Sequence, residues 1–157
     1  MNRPTITYNA PMREEDVSEH LINTPCPDLG PTPWAPPPTV GRRVAIVSTA
    51  GLMQRGDRPF GFGAADYRII DRDDPADLLM THISTNFDRT GFLQDHEVVF
   101  PLQRLQEFAE SGEIEGVARY HYSFMGATEP AQFEPAARQL AGAMQGEGTN
   151  IALLVPV

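Results

Sequence analysis

Between Thr81 and Phe92 the chain reads Thr-His-Ile-Ser-Thr-Asn-Phe-Asp-Arg-Thr-Gly-Phe, a run crowded with hydroxyl, imidazole, amide, carboxylate and guanidinium groups. Such a set can bind a small polar substrate. Thr85 and Asn86 supply donors and acceptors, and Arg89 can grip a carboxylate with two parallel hydrogen bonds. His82 titrates near neutral pH and is a candidate for proton transfer, with Asp88 as the nearby carboxylate. The same residue types also close turns and cap helices, so Asn86, Asp88 and Thr90 carry a structural reading beside the chemical one. Asp88 with Arg89 is equally readable as a solvated ion pair.

Three further groups qualify. Ser48-Thr49-Ala50-Gly51 ends an apolar run in small hydroxyl residues and glycine, a turn whose backbone donors could face an anion or carboxylate, although it is neither a Walker sequence nor a dinucleotide fingerprint. His121 and Ser123 lie in a second such segment, Tyr120-His121-Tyr122-Ser123-Phe124-Met125-Gly126, and His121 could meet His82 across a sheet. The two histidines read either as acid–base groups or as core hydrogen-bonding residues. His82, His96 and His121, with Asp88, Asp95 and Glu97, show no ligand spacing such as a helical His-x-x-x-His, so no metal site is expected.

These residues need a scaffold. Gly41 to Gly51, an apolar, partly β-branched run that ends in small hydroxyl residues and glycine, reads as a buried first strand. Leu78-Leu79-Met80 reads as another buried strand, which would put Thr85, Asn86, Asp88 and Arg89 beyond its carboxyl end, where open α/β sheets bind ligands. Between them, Gln54 to Asp77 is mixed in charge and punctuated by glycine and proline, and is expected to be a solvated excursion. Leu102, Leu105, Phe108 and Ala109 fall at helical spacing after Pro101, and Ser111-Gly112 stops that helix. Ile114 to Gly126 reads as a strand. A second helix is expected from about Gln132 to Met144, with Phe133, Ala136, Ala137, Leu140 and Met144 on its apolar side. Thr149 to Val157 is a final strand, apolar on both faces as a central parallel strand would be. Strands alternating with helices predict an α/β fold: three layers around a mostly parallel, flavodoxin-like sheet over residues 41–157, left incomplete at the carboxyl end because no helix follows the last strand to cover it.

Residues 1–40 are expected to form a proline-rich arm. From Pro25 to Pro38 the prolines deny the backbone both helix and central strand. Trp34 either packs onto the domain or anchors a partner. The 157 residues suffice for one domain with its own core, since domains are typically ~100–150 residues. A net charge of -9 and a pI near 4.8 argue against nucleic acid and anionic membrane surfaces as partners. All 12 basic residues are Arg, which excludes a lysine Schiff base and a P-loop within this chain. The single Cys26 cannot form an intrachain disulfide or a cysteine zinc site alone. With no signal-like leader and no run near the roughly 18 apolar residues of a membrane span, a soluble, cytoplasmic protein is the expectation.

Val44 to Leu52, Arg55-Gly56-Asp57-Arg58-Pro59-Phe60, His82 to Phe92, Val99-Phe100-Pro101-Leu102 and Arg119 to Gly126 together resemble selenoprotein B of the glycine, sarcosine and betaine reductases and the related selenocysteine subunit of D-proline reductase. The resemblance runs from Arg42 to Val157. It implies a cytoplasmic, oligomeric reductase system that cleaves the carbon–nitrogen bond α to a carboxylate in a small amino acid or betaine. It further implies a selenolate or thiolate nucleophile, a partner subunit carrying a pyruvoyl group, and a thioredoxin-like or selenoprotein electron donor. In that role His82, Asp88 and His121 would be catalytic, while Ser48, Thr85, Asn86, Arg89 and Ser123 would bind substrate. The resembling family places the nucleophile after the strand matching Ile151 to Val157, with a Cys nearby, so the chain is expected to be cut short at a selenocysteine triplet. The alternative is a binding or assembly module that keeps the fold without the nucleophile.

Overall fold

The structure is a computed structural model that describes residues 19, 22–23, 28, 30–31, 35–74, 78–84 and 89–157. Cys26, Trp34, Thr85, Asn86 and Asp88 lie outside the described residues. The chain divides into two units, Met1–Thr32 and Pro33–Val157. In the first, Asn23 Nδ2 donates to the Glu19 carbonyl, and the Asp28 carboxylate accepts from the Gly30 amide in a local turn where Gly30 has φ 75°. The second unit holds the sheet.

The order of that unit is β1 (Arg43–Ser48), β2 (Leu52–Gln54), β3 (Arg68–Asp71), β4 (Leu78–Met80), α1 (Thr90–Gln94), a 3-10 turn (His96–Val98), α2 (Leu102–Glu110), β5 (Gly116–Val117), β6 (Tyr120–Ser123), a second 3-10 turn (Pro130–Phe133), α3 (Glu134–Gly146) and β7 (Ile151–Val155). β1 is the central strand. It pairs in parallel with β7 along most of its length on one side and with β5 and then β6 on the other. β3 completes the sheet by pairing antiparallel to β6.

Alternation along β1 sends Val44 and Ile46 to one face and Ala45 and Val47 to the other. The first face packs with Leu102 and Leu105 of α2 and with Ile151, Leu153 and Val155 of β7. The second packs with Tyr122, Phe124 and the α3 residues Leu140 and Met144. Burying each of those two helix side chains contributes about 1.5–3 kcal/mol. The result is the expected three-layer α/β arrangement. Among the described residues, no helix is long and apolar enough to cross a membrane.

Three expectations need correction. Leu78–Met80 is not a strand of the parallel sheet; it pairs antiparallel with β2 in a separate two-stranded sheet and is only half-buried. Gln54 to Asp77 is more than a solvated excursion, since it contains β3. There Ile70 is buried while Ile69 is half-exposed, a period-2 pattern hidden among flanking charges. Phe108, expected on the apolar side of the helix Leu102–Glu110, is 45% exposed, whereas β7, expected to be left uncovered, is an edge strand among the described residues, with Ala152 and Leu154 exposed, Leu154 by 69%.

The single expected strand from Ile114 to Gly126 is broken in two, and His121 repairs the break. Arg43 pairs with Gly116 and Val44 with Val117, yet Val47 pairs with Tyr122 and Ser48 with Ser123, so the neighbour strand carries two extra residues. A bulge of this kind leaves a ladder amide without its usual carbonyl. The Ile46 amide donates instead to His121 Nδ1 at 2.9 Å. The imidazole is fully buried, edge-on to Phe100 with ring centroids 5.5 Å apart. Burial, then the charge of Arg72, pushes its pKa down to about 4, against a smaller opposing effect of the Ala118 backbone. It is therefore neutral in the native state at pH 7, as an Nδ1 acceptor must be.

A second side chain supports the first face. α2 begins at Leu102 without a cap from its own flanking residue. Glu97 supplies one from the preceding turn, its two carboxylate oxygens accepting from the amides of Gln103 at 2.9 Å and Arg104 at 3.1 Å. A carboxylate there also suits the positive end of the helix dipole. Asp95 caps the 3-10 turn by accepting from the Glu97 amide at 2.9 Å.

Two predictions concern stability. In the unfolded chain His121 takes a proton near pH 6.5, whereas the folded chain resists protonation until about 4. Stability is therefore fully present above 6.5, falls as pH drops through that window, and levels out below it, by roughly 3 kcal/mol in total. Urea midpoints measured from pH 7.5 to 4 should show this slope, and His121→Gln should remove most of it; the remainder belongs to His82, whose pKa is shifted the same way. Glu97→Ala should lower stability by about 1–2 kcal/mol through loss of the cap, with Glu97→Gln falling between.

Candidate functional site

The crossover that follows β1 leads to β5 and β6 on one side, and the crossover that follows β6 returns past β1 to β7 on the other, so the two run in opposite directions. α2 lies on one face in the first crossover and α3 on the other face in the second. Open α/β sheets form their binding crevice at such a point. Here that end of the sheet is formed by Thr49 to Leu52 after β1, Phe124 to Thr128 after β6, and Pro156-Val157 after β7.

The amides of the β1 turn do not face outward as a free anion cradle. Thr49 donates to the Val155 carbonyl at 3.1 Å and Gly51 to the Phe124 carbonyl at 2.8 Å. Ala50 donates to Ser48 Oγ at 3.2 Å, and Leu52 to Ser123 Oγ at 2.9 Å. Ser48 and Ser123 are both completely buried. Their hydroxyls hold the turn, with Ser123 also donating to the Phe124 carbonyl at 3.3 Å.

The polar loop reaches this crevice even though β4 lies outside the main sheet. The Gly51 carbonyl accepts from the Thr81 amide at 2.8 Å and from Thr81 Oγ1 at 3.2 Å. Gly51 has φ +67°, and a Cβ on it would lie 2.9 Å from both Cα and N of His82. Glycine thus serves two needs, a left-handed turn and backbone contact with His82. His82 is buried, and its Nδ1 accepts from the Ser84 amide at 3.2 Å. Burial, then the charge of Arg89, lowers its pKa. The Arg89 guanidinium donates through Nη2 to the His82 carbonyl and, at 3.3 Å, to the Ser84 carbonyl. His82 and Arg89 are thus brought together, whereas His121 is occupied within the sheet by Ile46. Thr85, Asn86 and Asp88 fall outside the described residues.

Four residues at this end of the sheet have roles that their residue types alone did not assign. Thr49 Oγ1 accepts from the Val157 amide at 2.8 Å and donates to the Val157 carbonyl at 3.3 Å. Gly126 donates its amide to the Thr49 carbonyl at 2.9 Å, and a Cβ there would lie 2.9 Å from the Val157 carbonyl oxygen. Gly51 makes the His82 contact. Arg68, opposite Ser123 in the β3–β6 pairing, is buried with its guanidinium carbon 4.3 Å from the Phe60 ring centroid. It donates to the Arg58 carbonyl at 2.7 Å and to Asp66 at 2.8 Å, while its Nη2 has no hydrogen-bond partner among the described residues. The small residues around Gly51 and Gly126 signal close backbone approach. Arg68 gives no signal within its charged run.

Two hollows of about 440 and 410 Å³ open at the other end of the sheet, near Arg43 and Gly116 and near Gly41 and Glu115. Arg72 in the first is engaged by Asp73 at 3.0 Å and by the Val117 carbonyl at 2.9 Å. Among the described residues no three His, Cys, Asp or Glu side chains gather as a metal set. His96 is exposed and 3.7 Å from Glu97, whose carboxylate already caps α2.

No family model and no solved structure matches the chain. Among curated proteins it is similar to the D-proline reductase subunit gamma of Acetoanaerobium sticklandii, 27% identical over 115 residues that cover 71% of this chain and 47% of that protein. The chain thus spans about half the length of the relative it matches.

Proposed function

We propose that the chain is a reductase-type subunit of a D-proline reductase-like system and that the crevice at the carboxyl ends of β1, β6 and β7 is where a small amino acid is reduced. The observation that carries this reading is the similarity to the D-proline reductase subunit gamma. The strand-end crevice, with Arg89 beside a buried His82, is the kind of place such chemistry needs.

D-proline is an anion at its carboxylate and a cation at its amine. Reductive cleavage of the Cα–N bond consumes two electrons and two protons and yields 5-aminopentanoate. The electrons would come from a dithiol-type donor and the amine would be activated by a pyruvoyl group on a partner subunit. The selenol or thiol nucleophile is implied by the resemblance alone. The residues of this chain bind and orient. Arg89 is the candidate carboxylate contact, with Thr85 and Asn86 in the same loop. His82, neutral through burial and the neighbouring charge, is positioned to hold or relay a proton. Glycine, sarcosine and betaine are the alternative substrates of the same chemistry.

The test is the full gene product isolated with its co-encoded subunits and given D-proline and a dithiol. 5-Aminopentanoate is expected, and its formation should cease when this subunit is omitted. A complex that reduces none of D-proline, glycine, sarcosine and betaine removes the reading. Unchanged turnover without this subunit marks it instead as an assembly module. Arg89→Lys, which keeps the charge and loses the planar fork, should raise KM for D-proline about tenfold or more. If Arg89 only braces its loop, KM will stay constant and thermal stability alone will fall.

A further inference from the structure

We infer that the turn carrying Phe62 is a docking knob: Phe62 enters an apolar pocket on another subunit of the reductase assembly, and Arg58 beside it meets a carboxylate on the rim of that pocket. The reductase reading supplies the partner, and this inference rests on it.

Phe62 is 97% exposed, the most exposed large apolar side chain among the described residues. Its backbone is nonetheless held. The Ala64 amide donates to the Gly61 carbonyl at 3.2 Å, closing a turn with Phe62 and Gly63 at its centre, and Gly63 takes the positive φ of 69° that such a corner asks of glycine. Buried Thr128 donates its hydroxyl to the Ala64 carbonyl at 2.8 Å, which ties the turn to the segment after β6. At the base of the loop Phe60 is buried against the Arg68 guanidinium, which donates to the Arg58 and Tyr67 carbonyls at 2.7 and 3.0 Å. Two phenylalanines separated by one glycine are thus used oppositely: Phe60 closes the loop and Phe62 stands out from it. A loop pinned at tip and base has little freedom to lose when a partner takes the side chain it presents, and an aromatic anchor so held contributes most to binding.

Charge and position indicate what takes it. Asp66 Oδ2 accepts from Arg58 at 3.0 Å and from Arg68 at 2.8 Å, so one carboxylate serves two guanidiniums. Arg55 and Asp57 add one charge of each sign, which leaves the loop positive in a chain whose net charge is -9. The Arg58 side chain is 81% exposed. A pocket rimmed by a carboxylate complements both features. Arg68 pairs with Ser123 at the carboxyl end of β6, and Thr128 follows that strand, so the loop is anchored at the same end of the sheet as the crevice. A subunit seated on Phe62 stands beside the crevice, where a partner acting on the same small molecule has to be.

The test uses the full gene product with its co-encoded subunits. Phe62→Ser should weaken their association about thirtyfold or more, as truncation of an aromatic anchor does, at an unchanged Tm of the free subunit. Phe62→Leu keeps an apolar side chain and should recover most of the affinity. Arg58→Glu should weaken association more at low salt than at high salt, again without a change in Tm. Hydrogen exchange of the Phe62 and Gly63 amides should slow on assembly. Undiminished association of Phe62→Ser overturns the docking site, as does a loss matched by a fall in the free subunit's Tm, which would place Phe62 inside this protein's own fold. If Phe62→Ser instead turns a dimeric free subunit into a monomer that still binds its partners, the turn serves a second copy and the proposal fails. Co-encoded subunits that never associate with wild type remove the underlying reading, an outcome distinct from a stable complex indifferent to Phe62.

Discussion

Backbone amides at the carboxyl end of β1 must find acceptors inside the protein, and the rest of the site follows from how they do so. A buried amide left unsatisfied costs about 1–3 kcal/mol. Thr49, Ala50, Gly51 and Leu52 place four such donors in succession, and they draw on four different sources: β7, Ser48, the segment after β6, and Ser123. Three strands are thereby tied to one turn. The two serines are small and fully buried because each must bring an oxygen to an amide where a larger side chain would not fit.

That arrangement determines what approaches. Gly51 admits the backbone of His82 and Gly126 admits the carbonyl of Val157, each at a distance no Cβ would allow. The polar loop and the end of β7 therefore converge on the same turn from different parts of the sequence. β4 need not belong to the main sheet for its following loop to reach the sheet's carboxyl end, because the Gly51 carbonyl captures Thr81 directly. The two buried histidines then diverge in function. His121 is used inside the sheet, its Nδ1 replacing a carbonyl lost to a bulge. His82 lies at the edge of the crevice under the influence of Arg89.

Much of the layering was legible because periodicity reports burial. Leu102 and Leu105 of α2, Leu140 and Met144 of α3, the hydrophobic β1 and β7 follow from spacing, whereas Phe108 and Ala137, which share that spacing, are exposed. β3 was not legible, because Arg68 occupies an inward position that periodicity assigns to an apolar side chain, and the Asp66 carboxylate, its carbonyl partners and its stacking on Phe60 make that burial tolerable. The break between β5 and β6 was equally hidden. A two-residue bulge changes no hydrophobic pattern, and its sole sequence sign is a histidine at a core position, a residue type that serves equally as a metal ligand or an acid–base group. At the site, residue types identified Ser48, His82, Arg89 and Ser123 as unusual. They could not reveal that both serines face backbone amides, since a hydroxyl that binds substrate and one that closes a turn look alike in sequence. Thr49 was overlooked for the same reason: its partner, Val157, lies more than a hundred positions away.

Charge distribution sets Arg89 apart from most other arginines of the chain. The chain as a whole is strongly acidic, and many of its arginines are paired with carboxylates: Arg104 with Glu107, Arg119 with Asp71, Arg138 with Glu134. A guanidinium against a carboxylate has little net field left for a ligand, and exposed pairs of this kind contribute little stability either. Arg89 is held differently, on the carbonyls of His82 and Ser84, which orient it without cancelling its charge. Arg89 adds to burial in opposing protonation of His82. The loop that carries Arg89 therefore meets a turn whose four amides are already satisfied, so among the described residues the donors that remain at this end of the sheet belong to side chains and not to bare backbone.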